Sequence, residues 1–320
     1  MKISHLISLS LLLFFSYGSA QDIPQANFTN GLIKARTYLP DVEKGYYRAT
    51  RFDWSGIISN LEYDGHTYFG KWFKNYDPKV HESVMGPVEE FSPIGYDEVA
   101  VGENFIKIGV GALIKPKEPK YFLFNSYEIE NSGKWKISKS ANQVEYNHIL
   151  DDKNYSYEYK KVISLTEGKP EMVLHHTLKN TGDKIIETEV YDHNFFMLDN
   201  ERIGPGYVIK FPFKITGEGD GIGEFAEIDN QQIKFTKNLG ERDHVYIRSI
   251  TGYNSKASDY DIRVENKNTG AGVRITCDRP LSKLVFWSAT KTVCPEPYIL
   301  IKVKPGETFT WNITYNYYTL

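Results

Sequence analysis

His193 sits in the run Tyr191-Asp192-His193-Asn194-Phe195-Phe196, between a carboxylate and a pair of phenylalanines. An imidazole titrates near neutral pH, so it can give or take a proton under ordinary conditions. A second acid–base candidate, Glu296, lies far along the chain in Val293-Cys294-Pro295-Glu296-Pro297-Tyr298. A carboxylate and an imidazole acting on one molecule can move two protons, one taking while the other donates. Arg51 brings a planar fork of donors suited to hydroxyls or a carboxylate. Trp54, three residues on, offers a flat stacking face. Glu89 and Glu90, in Gly86-Pro87-Val88-Glu89-Glu90-Phe91, read as neighbouring carboxylates presented by a glycine-containing loop. Each candidate has a structural alternative. His193 could be a satisfied residue of a β protein, with Phe195 and Phe196 plugging the core. Pro295-Glu296-Pro297 could be a solvent-facing turn. Arg51 could pair with Asp53 at the surface above a core Trp54, and the acidic pair could be a solvated face.

The other histidines offer less. His175 and His176 are adjacent on an expected strand, so their side chains point to opposite faces and do not readily share a metal. His66, His148 and His244 fall near turns with no partner at useful spacing, and His81 lies just ahead of the acidic pair. No zinc spacing, phosphate-binding loop, nucleophile elbow or calcium loop is present. With 38 basic and 41 acidic residues and a net charge of −3, the chain has no charge bias toward a polyanion such as nucleic acid.

Short runs of alternating or β-branched residues, closed by turn signals, must position these groups. Phe105–Val110, Glu171–Leu178, Ile185–Tyr191, Tyr207–Phe211, Val245–Arg248, Gly272–Thr276, Lys283–Ser288 and Thr308–Tyr318 read as strands. Aromatics make up 14% of the chain and favour pleated, half-buried surfaces. Helical periodicity is nearly absent and no linker interrupts the pattern, so residues 21–320 are expected to form one domain of two large, mostly antiparallel sheets. Lys2, the apolar run Leu6–Phe15 and Gly18-Ser19-Ala20 read as a secretory signal peptide over residues 1–20, with the mature protein periplasmic or secreted. No later stretch is long and apolar enough to span a membrane. Cys277 and Cys294 lie on neighbouring expected strands, which permits either a disulfide or two buried thiols.

The succession His176-Thr177-Leu178-Lys179-Asn180-Thr181-Gly182, then Asp192-His193-Asn194-Phe195-Phe196, resembles the aldose 1-epimerase pattern of the galactose mutarotase-like superfamily. The late Cys294-Pro295-Glu296, followed by Ile301–Lys304, Pro305-Gly306-Glu307 and a last strand, is similar to that family's ending. Ile57–His66 is similar to its early hairpin. The resemblance implies an all-β, large antiparallel supersandwich. It implies His193 as general acid and Glu296 as general base in sugar anomer interconversion, with no metal or organic cofactor. It implies a sugar or oligosaccharide as partner and Glu307 as structural; by their own chemistry Arg51, Trp54, and Glu89 or Glu90 are expected to bind that substrate, and the protein is expected to be a monomer. One departure stands out. Where the family carries a His-Gly motif, this chain has Gly86–Phe91, with His81 out of register. That keeps two alternatives open: a lyase or hydrolase on an extracellular glycan, or a non-catalytic carbohydrate-binding protein.

Overall fold

In the stretch Tyr157–Leu165 every second residue is buried, which is the mark of a strand with one face on a core and one toward solvent. The same alternation recurs along most of the chain. The computed structural model describes residues 23–320, so the signal peptide read over residues 1–20 lies outside the described residues. The strands run β1 (Gln25–Thr29), β2 (Ile33–Tyr38), β3 (Ile57–Tyr63), β4 (His66–Thr67), β5 (Gly86–Phe91), β6 (Asn104–Lys107), β7 (Gly111–Ile114), β8 (Ile129–Asn131), β9 (Lys134–Lys139), β10 (Gln143–Leu150), β11 (Tyr157–Leu165) and β12 (Glu171–Asn180). They continue with β13 (Ile186–Phe195), β14 (Tyr207–Lys210), β15 (Gly219–Asp220), β16 (Ala226–Asp229), β17 (Gln232–Phe235), β18 (Val245–Ile247), β19 (Asp261–Asn266), β20 (Ala271–Cys277), β21 (Lys283–Ala289), β22 (Thr292–Val303) and β23 (Thr308–Thr319).

Ten strands form one antiparallel sheet in the order β16-β17-β14-β19-β20-β23-β12-β11-β10-β9. Six form a second, β15-β18-β21-β22-β13-β5, and two smaller sheets hold β1–β4 and β6–β8. The two large sheets face each other across a shared apolar core, as the ring contact between Phe91 of β5 and Trp311 of β23 illustrates. The expected all-β supersandwich of mostly antiparallel sheets is therefore the observed architecture. Among the described residues no helix is long and apolar enough to cross a membrane.

Alternation breaks in two places that matter. All six residues of β5 are buried, and so is the second half of β13. Their inner face meets the ten-stranded sheet. Their outer face is roofed by a second apolar cluster that includes Tyr47, Phe52, Trp54, Val88, Phe105 and Phe195. Gly86 opens β5 at φ +77°, where a Cβ would come within 2.9 Å of Ile58, so only glycine fits this close approach. The reading of Gly86–Phe91 as a loop is thus overturned: tertiary burial outweighs its Gly-Pro and paired-carboxylate signals.

Burial on the inner face has a polar exception. Glu89 of β5 pairs with Lys161 of β11 and lies 2.6 Å from His176 Nε2 of β12, and all three side chains are wholly buried. Burial opposes the Glu89 charge, but Lys161 and the His176 hydrogen bond outweigh it and hold the carboxyl below its ordinary range. Asp53 accepts from the Ser55 hydroxyl at 2.5 Å and the Tyr159 hydroxyl at 3.1 Å. Tyr315 donates to Asp192 at 2.7 Å. Burial first, then the Glu89 charge, pushes Asp192 upward.

Cys277 and Cys294 are both buried free thiols. The disulfide alternative falls because Cys277 lies in the core between the two large sheets and Cys294 in the apolar cluster on the outer face of the six-stranded sheet. Breaking a buried ion pair strands one charge. Lys161→Met and Glu89→Gln are each expected to lower unfolding stability by about 3–5 kcal/mol in urea denaturation. A loss below about 1 kcal/mol would show that this cluster does not tie the sheets together.

Candidate functional site

Cross-strand partners point to the same side of a sheet. In the six-stranded sheet Glu90 faces Tyr191, Tyr191 faces Tyr298, Val285 faces Glu296 and Tyr246 faces Trp287. Stepping by two along each strand, the outer face collects Tyr191, His193 and Phe195 from β13, Glu296 and Tyr298 from β22, Val285 and Trp287 from β21, and Tyr246 from β18. These side chains line a cleft of about 490 Å³. Connecting segments supply the rest of its wall: Arg51, Trp72, the His81-Glu82 pair, and Leu123 with Phe124; His244 lies at the end nearest β18.

His193 Nε2 lies 3.2 Å from Glu296 Oε1, and both residues are buried. The contact occupies a gap in the sheet. Pairing of β13 with β22 runs from Ile186–Val303 to Tyr191–Tyr298 and resumes only at the bridge Phe196–Val293. Pro295 and Pro297 have no backbone N–H to donate across it. The Asn194 side chain fills part of the gap by donating to the Pro295 carbonyl at 3.0 Å. His193 stacks flat on Phe195 with ring centres 3.9 Å apart, and meets Phe52 and Trp287 edge-on. Its Nδ1 is buried without a hydrogen-bond partner.

This apolar setting disfavours charge on both members. Burial, reinforced by the nearby Arg51 charge, pushes the His193 imidazole well below its usual range. Burial pushes the Glu296 carboxyl up to about 8; Arg51 works against that shift and Glu90 adds to it. Near neutral pH the pair therefore holds one proton, on Glu296, beside a neutral imidazole. The pair can take a proton at one position and give one at the other with no net change in charge.

His193 and Glu296, far apart in the sequence, meet directly. The two lie side by side on one wall. His193 is also inside β13 rather than beyond its end, and Pro295-Glu296-Pro297 is strand rather than turn.

Arg51 joins them. Its Nε donates to Glu90 at 2.6 Å and its Nη2 to the Tyr191 hydroxyl at 3.1 Å, while Tyr191 donates to Glu90 at 2.5 Å. The guanidinium also lies 4.4 Å from the Phe52 ring centre and 5.0 Å from that of Phe124. Glu90 thus stands one layer behind the wall, holding Arg51 rather than facing the cleft. Glu89, one residue earlier on a strand, points the other way into the core and does not reach the cleft. Trp54 is buried, donates to the Ala49 carbonyl at 2.8 Å, and borders a different hollow with Arg48, Thr50 and Tyr127. Arg51, His193 and Glu296 are brought together; Trp54 and Glu89 are not.

Trp72, Trp287, Tyr246 and Tyr298 were not singled out from the sequence, His244 was set aside for want of a partner, and His81 was left without a role. Burial and then Arg51 push the His81 imidazole down. Trp287 and Val285 were within reach of the sequence: once His193 is placed on an outer face, alternation along Lys283–Ser288 marks them for the same side. Trp72, His81 and Phe124 come from irregular segments, for which no periodicity exists to read.

No protein-family model and no curated protein matches the sequence. Solved structures do. A galactose mutarotase related enzyme from Lactobacillus acidophilus superposes with a TM-score of 0.55 at 11% identity, over 92% of this chain and 97% of that one. A GalM/aldose epimerase homologue from C. elegans gives 0.54 at 12%, over 94% and 100%. A putative aldose 1-epimerase from Escherichia coli K12 gives 0.52 at 12%, over 93% and 100%. The fold is that of the galactose mutarotase-like proteins. At these identities the likeness establishes architecture and leaves the chemistry to the site itself.

Glu296 keeps in the folded state a proton that an unfolded glutamate releases above about 4.5. The native state therefore binds more protons between 4.5 and about 8, and stability falls as pH rises through that window. Glu296→Gln removes this term. Its melting temperature relative to the parent is expected to climb by at least about 2 °C between pH 5 and pH 8, followed by calorimetry. A difference that is flat with pH would place Glu296 in an ordinary, ionised state.

Proposed function

We propose that this protein is a carbohydrate-active isomerase that interconverts sugar anomers, with His193 and Glu296 as its acid–base pair. The reading rests above all on the single-proton contact between these groups on the wall of an aromatic cleft. Ring opening needs a proton removed from the anomeric hydroxyl and another delivered to the ring oxygen as the bond from that oxygen to the anomeric carbon breaks. The neutral imidazole of His193 takes the first, and the carboxylic acid of Glu296 gives the second. The products are an open-chain aldehyde and an imidazolium–carboxylate pair.

Rotation about the bond between the first and second carbons presents the other face of the carbonyl. On reclosure His193 returns its proton to the anomeric oxygen as acid, and Glu296 recovers the ring-side proton as base. The roles implied by the family resemblance thus apply to the closing half and are exchanged in the opening half. Arg51, held by Glu90 and Tyr191, stays fixed as a donor toward sugar hydroxyls. Trp72 and Trp287, 5.5 Å apart and edge to face, present apolar walls to the C–H faces of a ring.

A glycosidase would need two carboxylates facing the substrate. Among the described residues lining this cleft, Glu296 is joined by no carboxylate but Glu82, which is exposed at the rim, so the geometry favours isomerisation. With the signal peptide expected at residues 1–20, the reaction would take place outside the cytoplasm.

His193→Ala and Glu296→Gln are each expected to lower the polarimetric rate of anomer interconversion about 10²–10⁴-fold. The double variant should lose little more, because the pair works as a unit. The pH profile of kcat/KM should be flat through neutrality, fall above about 8 as Glu296 loses its proton, and fall on the acid side only well below 6.5. Unchanged rates in both single variants, on every sugar the parent turns over, would refute the assignment.

A further inference from the structure

The segment from Glu118 to Tyr127 holds two phenylalanines in solvent at the mouth of the cleft. Phe122 is 46% exposed and Phe124 47%. Exposed large apolar side chains are ordinary when scattered, but a cluster continuous with a cleft marks a binding surface. These two rings meet edge-on with centres 5.3 Å apart. Phe124 is continuous with the cleft: it lies over Arg51 and packs on His81 at 4.7 Å, and Leu123 between the two phenylalanines lines the same wall.

The turn that carries them is heavily braced. The Tyr96 and Tyr127 hydroxyls donate to Glu118 at 2.6 and 2.7 Å, and the Asn125 amide donates to it at 2.7 Å. The Phe122 N–H donates to the Tyr127 hydroxyl at 2.9 Å, and the Asn125 N–H closes the turn on the Phe122 carbonyl at 3.0 Å. Ser126 ties the tip to the Lys79 carbonyl at 3.2 Å, on the segment that leads to His81. So much polar bracing fixes the two rings in position instead of letting them fold inward. Preorganised aromatic faces lower the ordering cost of binding.

We propose that Phe122 and Phe124 form an outer saccharide subsite. The preferred substrate is then a reducing oligosaccharide of two or more rings, its terminal ring at His193 and Glu296 and its next ring on the phenylalanine ledge. This rests on the carbohydrate reading of the cleft and extends it outward. Sugar rings fit such a ledge because their C–H faces are apolar while their hydroxyls remain free for the rim, here His81 and the exposed Glu82.

The test uses the full mature chain with glucose and galactose against maltose, cellobiose and lactose. Binding is followed by calorimetry and turnover by polarimetry. At least one disaccharide is expected to exceed its component monosaccharides about tenfold in affinity and in kcat/KM. Phe122→Ser and Phe124→Ala should each bring that disaccharide-to-monosaccharide ratio down toward one, whatever happens to the monosaccharide values themselves. A parental ratio near one, or a ratio unmoved in both variants, overturns the ledge. So does a concentration-dependent oligomer that both variants dissociate while the ratio stays put, since the rings would then be an interface between copies. A tenfold binding preference without turnover of any sugar would sustain the ledge and sink the isomerase reading. Turnover of monosaccharides with no preference would do the reverse.

Discussion

The register of β13 is the constraint from which both faces of the six-stranded sheet follow. It pairs with β5 so that Asp192 meets Glu89 and Tyr191 meets Glu90, and with β22 so that Tyr191 meets Tyr298. A slip of one residue would carry every side chain of the strand through the sheet. Asp192 would then leave the buried charges between the sheets, and His193 would leave the cleft. The hydrophobic inner face and the charge cluster around Lys161 together fix that register. The same pairing also brings His193 beside Glu296, from distant parts of the sequence. The core and the candidate site are thus products of one alignment.

The two faces solve the problem of buried charge differently. Inside the sandwich, Glu89 is answered by Lys161 and His176 and stays ionised. On the cleft side, Glu296 faces only a neutral imidazole, with Arg51 committed to Glu90 and Tyr191. The state of lowest cost there is a protonated Glu296 beside a neutral imidazole rather than a separated ion pair. The broken ladder beside Pro295 and Pro297 and the unpartnered Nδ1 of His193 belong to the same pattern. In the inner cluster the Glu89 charge is answered directly by Lys161 and His176, whereas among the described residues no cation pairs with Glu296 in the cleft.

Much of the architecture was legible in the sequence, because a strand with one buried face writes its alternation directly into residue order. The runs at Glu171–Leu178 and Thr308–Tyr318 were placed within two residues of their observed ends. Where both faces are covered, the alternation vanishes. That is why Gly86–Phe91 looked like a loop and why Glu89 and Glu90 looked equivalent, although the strand turns one inward and the other toward Arg51. His193, Glu296 and Arg51 were readable from residue type and order. Trp54 was not, because a tryptophan that roofs a sheet and one that faces a ligand have the same sequence surroundings. The contact between His193 and Glu296 was likewise hidden, since it arises from pairing and not from spacing.

Near neutral pH one proton resides on Glu296 beside a neutral His193. Nuclear magnetic resonance with 15N-labelled histidine and 13C-labelled glutamate side chains reads both groups at once across pH 5–9. Neutral-imidazole nitrogen shifts are expected for His193 at neutral and alkaline pH, with a single Glu296 carboxyl step near pH 8. An imidazolium at His193 facing an ionised Glu296 at pH 7, with the carboxyl titrating in the ordinary acidic range, would contradict it.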